Sequence, residues 1–178
     1  MTLELKPKRG GFVRPFGCGW FIREFLLGNG PEGSTIIDLK RGAPQVDINF
    51  EYKEALVRAT ARDRTDRLIS RLVLNKVNVT EEQADKIYQQ QLKRISRNSN
   101  YMRYHSFLIY FGVLKRLGWV EATEEIQPSA IQDNYPSAPS RIFYRLTKKG
   151  IAAGDNLWSN PLFTLYPEIG AGHLKKSD

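Results

Sequence analysis

The chain has 178 residues, 41% of them hydrophobic and 26% charged, with 27 Lys and Arg against 19 Asp and Glu, a net charge of +8. That length suits one domain, or one domain with an appendage, and a core that needs no staples, which excludes a large multidomain enzyme, while the composition argues against wholesale disorder. The surplus of positive charge favours an anionic partner such as nucleic acid or an acidic membrane surface.

Residues 1–15 carry Lys6, Lys8, Arg9 and Arg14 against Glu4 and are broken by Pro7, Gly10, Gly11 and Pro15, which predicts a flexible basic arm. The apolar run from Phe16 to Leu27, stopped by Gly28-Asn29-Gly30-Pro31, predicts a short buried helix with Cys18 packed inside it. Between 31 and 48, Ile36, Ile37 and Leu39 suit a strand or a short helix, and Gly42-Ala43-Pro44 ends the segment. Gly and Pro are absent from 49 to 77, so a long helix is expected there, capped by Asn49 with Glu54 in an acidic first turn. Its ends are apolar (Ala55, Leu56, Ala59; Ile69, Leu72, Val73), and its middle carries the i,i+4 pairs Arg62/Asp66 and Asp63/Arg67 of a solvated face. Thr80 and Gln83 form a capping-box pattern that opens a helix to about Arg97.

Tyr101 to Leu117 reads as a further helix, with Phe107, Phe111 and Leu114 toward the core and Gly118 closing it. Trp119 to Thr123 and Arg141 to Leu146 then form a hairpin with a long connection. The alternation of the second strand places Ile142, Tyr144 and Leu146 on one face. Thr147 caps a short segment before a Pro- and Gly-punctuated tail, whose apolar run Pro161 to Tyr166 is expected to dock on the body or on a partner, with fraying after Gly170. The expected architecture is mainly α with a small antiparallel β-hairpin. It divides into the arm 1–15, a domain over 16–156 that includes the helical segment 49–77, and a tail over 157–178.

The order helix, turn, helix, Gly, strand, loop, strand, helix cap across 80–153 is the layout of a winged helix-turn-helix with extra N-terminal helices. Leu117-Gly118-Trp119-Val120-Glu121 and Tyr144-Arg145-Leu146-Thr147-Lys148-Lys149-Gly150 resemble the entry and the return of the wing in PadR-like and MarR-like DNA-binding regulators. The resemblance implies a non-enzymatic regulator of transcription that binds double-stranded DNA through a recognition helix at 101–117, with the hairpin beside it on the backbone or minor groove.

The local chemistry bears on this. Lys93, Arg94, Arg97, Arg103, Lys115 and Arg116 face no acidic residue between 93 and 116. Asn100, Arg103, Tyr104 and Ser106 are the residue types that reach base edges or phosphates from a helix N-terminus, with Arg103 the first choice for a base. Lys93, Arg94, Arg97, Arg141 and Arg145 are the expected phosphate contacts. Arg103 also projects near the apolar side, where it would snorkel over the core edge, and Tyr101 and Tyr104 would equally serve as core lids. His105 reads as a surface residue.

One feature departs from a DNA-gripping wing: from Leu117 to Ser140 there are four acids (Glu121, Glu124, Glu125, Asp133) and no Lys or Arg. Phosphates repel such a loop, so the alternative is a winged-helix protein-interaction module. A third reading, a metal-dependent nuclease, takes Asp38-Leu39-Lys40 as half a magnesium site, with Glu24 or Asp47 as the missing carboxylate. The glycines from Gly28 to Gly33 have P-loop spacing, but Ser34 stands where the lysine must be, so a tight turn accounts for them. No metal or cofactor is expected. With one cysteine, two histidines and no apolar run near the ~18 residues of a membrane span, the chain is expected to be cytoplasmic and off the membrane. A homodimer through the 49–77 helix is expected, without a coiled-coil heptad.

Overall fold

The computed structural model describes residues 17–30, 37–98, 104–127 and 141–168, and within these the side chains of 96–98 and 104–106 lie outside the description. The described chain is mainly helical with one small antiparallel sheet. It falls into two compact units, one holding 17–52 and 104–168 and the other 53–98. The predicted arm at 1–15 lies outside the described residues.

The first unit begins with α1, Cys18–Leu26, which buries Phe21, Ile22, Phe25 and Leu26. Gly28, at φ +78°, ends it: its N–H bonds the Phe25 carbonyl and the Asn29 N–H bonds the Glu24 carbonyl, a double closure that wants a glycine in the left-handed region. The undecided stretch resolves into a turn leading to β1, Ala43–Pro44. Asp38 shapes the turn, its carboxylate accepting from the Lys40 N–H and its carbonyl from the Gly42 N–H. Gly42 sits at φ +73°, and a Cβ there would run into the Tyr144 carbonyl, so the close approach of β1 to its neighbour needs glycine.

The long helix α2 spans Gln45–Leu74. This corrects the expected start: the chain enters the helix directly after Pro44, so Asn49 lies in the second turn, buried rather than capping, with its Nδ2 unpartnered among the described residues. Gln45 to Tyr52 belong to the first unit, where Ile48 and Tyr52 are fully buried. At the far end Lys76 adopts φ +59° and the Val77 N–H reaches the Leu72 carbonyl, the same closure made without glycine.

In the second unit, α2 packs through Val57 and Ala61 against Ile95, Leu92 and Tyr88 of α3, Glu81–Asn98. The capping box forms as expected, the Thr80 N–H donating to Gln83 Oε1 at 3.0 Å and the Gln83 N–H to Thr80 Oγ1 at 3.3 Å. Buried Thr60 and Thr65 donate their hydroxyls back to the carbonyls of Leu56 and Ala61, so neither is left unsatisfied. The Asp63/Arg67 pair closes at 2.9 Å on the solvated side. Leu68, Val73 and Leu74, in the apolar end of the helix, are exposed.

The remaining elements return to the first unit: α4, Tyr104–Leu117; β2, Val120–Gln127; β3, Arg141–Leu146; and the short helices α5, Lys148–Ala152, α6, Asp155–Ser159, and α7, Pro161–Leu165. The sheet order is β1-β3-β2, antiparallel throughout, with Ala43 opposite Tyr144, Val120 opposite Leu146 and a register shift between Ala122 and Ile126. As the central strand, β3 is buried on two faces, which the single-face expectation missed: Tyr144 meets Phe111 edge-on at 5.0 Å, and Phe143 lies under the Arg41 guanidinium at 4.5 Å. Ile142 is exposed instead. Part of the expected tail belongs to the fold. Trp158 in α6 is fully buried against Trp119, and α7 packs on α4.

Candidate nucleic-acid interface

The helix α4 forms because Phe107, Phe111, Val113 and Leu114 supply one continuous apolar arc, and all four are buried. Gly118, at φ +69°, terminates it. Its N–H bonds the Lys115 carbonyl and the Trp119 N–H bonds the Leu114 carbonyl, so the chain leaves the helix directly into β2. The rest of the α4 surface is mixed. Leu108, Ile109 and Tyr110 are exposed, Ile109 at 54%, and they are followed by exposed Lys115 and Arg116. The middle of the predicted recognition helix thus shows solvent an apolar surface, with its described cations at the C-terminal end.

Of the residues expected at its N-terminus, Asn100 and Arg103 lie outside the described residues. Arg97, Tyr104 and Ser106 are described as helical backbone only. Lys93 and Arg94 are exposed on α3, next to Ile95 of its core. The cationic window 93–116 is therefore divided, α3 belonging to the unit 53–98 and α4 to the other.

The sheet carries the remaining predicted contacts, and there each arginine has a carboxylate partner. Arg145 Nε donates to Glu121 Oε1 at 2.8 Å, directly across the strand pair. Arg141 lies 3.4 Å from Asp47 at the start of α2, and Arg41 lies 2.9 Å from Glu125. These are exposed pairs, each worth about 0.2–1 kcal/mol, so a phosphate can compete for the guanidinium. The accompanying carboxylate stays in place, however, so each pair offers DNA almost no net charge. Asp38, Glu121, Glu124 and Glu125 line one open groove with Lys40, Arg41 and Arg145, a mixed lining with one more acid than base.

Two basic dipeptides that were not assigned together flank a junction where the backbone is tied. Thr147 donates its hydroxyl to the Gly118 carbonyl at 2.6 Å and its N–H to the Trp119 carbonyl at 3.0 Å, which brings the end of α4 beside the start of α5. Lys115 and Arg116 stand on one side of this junction, Lys148 and Lys149 on the other, all exposed. Lys115 lies over the Tyr144 ring at 5.5 Å, and Arg116 donates to the Tyr166 hydroxyl at 3.1 Å. The signal was available in the sequence. A hairpin returns the chain to where it left, so a basic dipeptide just before it and another just after it are brought to the same end of the sheet.

The carboxylates weighed for a magnesium site are each engaged elsewhere: Asp38 in its turn, Asp47 with Arg141, and Glu24 with Arg23 and Asn29. Among the described residues no group of three or more His, Cys, Asp or Glu is placed to hold a metal ion, and no helix is long and apolar enough to cross a membrane. Comparison of the chain with protein-family models, curated proteins and solved structures finds no match.

Proposed function

We propose that residues 17–52 and 104–166 form a winged helix that binds duplex DNA, and that the protein acts as a cytoplasmic transcriptional regulator. The observation that carries this reading is the sheet order β1-β3-β2 combined with the element order α1-β1-α2-α4-β2-β3 that remains once α3, in the other unit, is set aside. A winged helix has a short strand between its first two helices that pairs with the return strand of the wing, and β1 on β3 fits that place. In this alignment the first two turns of α2 precede the recognition helix α4 in the motif. The helices of 53–98 are then an insertion between the two, which replaces α3 as the partner helix of the sequence-based layout.

The net charge of +8 supports a polyanionic partner. Asn100, Arg103, Tyr104 and Ser106 are the base-reading candidates in this reading, and Lys93, Arg94 and Arg97 the phosphate contacts. Arg141 and Arg145, each beside a carboxylate, orient the hairpin without adding net charge. The exposed Leu68, Val73 and Leu74 favour a homodimer through α2, which light scattering on the purified chain would report as twice the monomer mass.

The test is anisotropy titration of labelled genomic duplex fragments over a salt series. Affinity is expected to fall steeply with salt. Arg103→Ala should relax discrimination between sequences by about 1–3 kcal/mol, while Arg97→Ala weakens all duplexes alike and lowers the salt slope by about 1. Salt-independent or absent duplex binding by the wild type rejects the proposal.

One observation favours a second reading, a protein-interaction module on the same fold: Leu108, Ile109 and Tyr110 give α4 an exposed, largely apolar turn where a DNA reader is polar. Ile109→Lys separates the two. It would abolish capture of a protein partner, but would leave duplex affinity equal or higher.

A further inference from the structure

We infer that the junction between α4 and α5, formed by Lys115, Arg116, Lys148 and Lys149, is the main surface on which this unit seats the phosphate backbone of duplex DNA. The inference rests on the DNA-binding reading above and adds to it a phosphate-seating corner that sequence spacing did not assign.

The argument is one of charge accounting by position. The described part of the unit carries nine Lys and Arg: Arg23, Lys40, Arg41, Lys115, Arg116, Arg141, Arg145, Lys148 and Lys149. Four of them sit against carboxylates, Arg23 with Glu24 and Asp155, Arg41 with Glu125, Arg141 with Asp47 and Arg145 with Glu121. Lys40 lies in the groove lined by Asp38 and the glutamates of β2. The four that remain, with no carboxylate within salt-bridge distance among the described residues, are the two dipeptides at the junction. A neutralised pair releases little from the counterion atmosphere of DNA, whereas an unpaired cation releases about 0.9 of an ion per phosphate it meets. The corner, with four cations against the two paired arginines of the wing, therefore outweighs the wing in net attraction.

The corner is also held in place. Two backbone-directed bonds from Thr147 join the elements, and the Thr147 hydroxyl caps α5 by accepting from the Gly150 N–H at 3.0 Å. Lys115 rests over Tyr144, and Arg116 is bonded to Tyr166. Less side-chain freedom is lost on binding when the cations are already positioned in this way. Protein surfaces meet a patch of this kind by matched carboxylates. The partner chosen here is the duplex because the adjoining helix is the proposed reader of its grooves.

The experiment uses the full chain and a labelled genomic duplex, with affinity measured over a salt series for the wild type, for Lys148→Gln/Lys149→Gln, for the quadruple variant that adds Lys115→Gln and Arg116→Gln, and for Arg141→Gln/Arg145→Gln. Circular dichroism melts establish that each variant is folded. The double lysine variant is expected to lower the salt slope by about 2 and the quadruple by about 3–4, more than the arginine pair does. Acetylation of lysines read by mass spectrometry, with and without duplex, supplies a second measurement that needs no substitution: Lys115, Lys148 and Lys149 should be protected and Lys40 should not. Wild-type binding with an unchanged slope in the quadruple variant, or with the three lysines unprotected, overturns the inference and leaves the DNA-binding reading standing. Failure of the wild type to bind duplex at all overturns both.

Discussion

The indole Nε1 of Trp158 donates to the carbonyl oxygen of Gly150 at 3.0 Å, inside the core. The same ring packs on Trp119, centroids 4.6 Å apart, so one side chain of α6 ties together the exit of α4 and the short helix α5. Trp158→Ala is expected to cost about 3–5 kcal/mol, as truncation of a large buried aromatic does. Trp158→Phe keeps much of the packing but removes the donor, and is expected to cost about 1–3 kcal/mol. Urea denaturation followed by circular dichroism reads both, and a Phe variant as stable as the wild type would show that the bond contributes nothing.

Two glycines should respond to alanine with opposite signs. Gly42 has a left-handed backbone and faces the Tyr144 carbonyl, so Gly42→Ala must displace β1 from β3 and should destabilise by more than about 1 kcal/mol. Gly112, inside α4, has nothing within 4 Å of the added carbon, so Gly112→Ala should stabilise by roughly 0.5–1 kcal/mol through helix propensity. Midpoints shifted in the same direction would contradict this description of the two sites.

Thr147→Ala removes both the cap on Gly150 and the bond to the Gly118 carbonyl. The expected loss is about 1–2 kcal/mol, with most of it recovered by Thr147→Ser, which keeps the hydroxyl. Serine no better than alanine in thermal melts would assign the effect to the methyl group instead.

Glu121→Gln tests the electrostatics of the hairpin. The pair with Arg145 is exposed, so stability should change by less than about 1 kcal/mol. Duplex affinity should rise and its salt slope steepen by about 1, because the guanidinium is released and a carboxylate is removed together. A fall in affinity would mean that the pair itself orients the hairpin on its partner.

Much of the fold was legible in local chemistry. The capping box at Thr80 and Gln83, the Thr147 cap, the Gly118 closure and the core arc Phe107, Phe111 and Leu114 all appear as their spacing predicts, because each depends only on residues within about two turns. Asn49 failed as a cap because its competitor, the helix start after Pro44, is set by β1 pairing with β3 a hundred residues away. The base-reading candidates Asn100 and Arg103 fall outside the described residues, so that part of the site stands as its sequence alone presents it.

From its sequence alone, then, this protein has its helices, their caps and stops, and an excess of positive charge. Each of these follows from composition or from short-range periodicity. Tertiary structure alone decided which of those charges face solvent unopposed. Ion pairing at the sheet joins residues far apart in the chain, Arg141 to Asp47 and Arg41 to Glu125, and Coulomb attraction acts over distance in space, regardless of separation along the sequence.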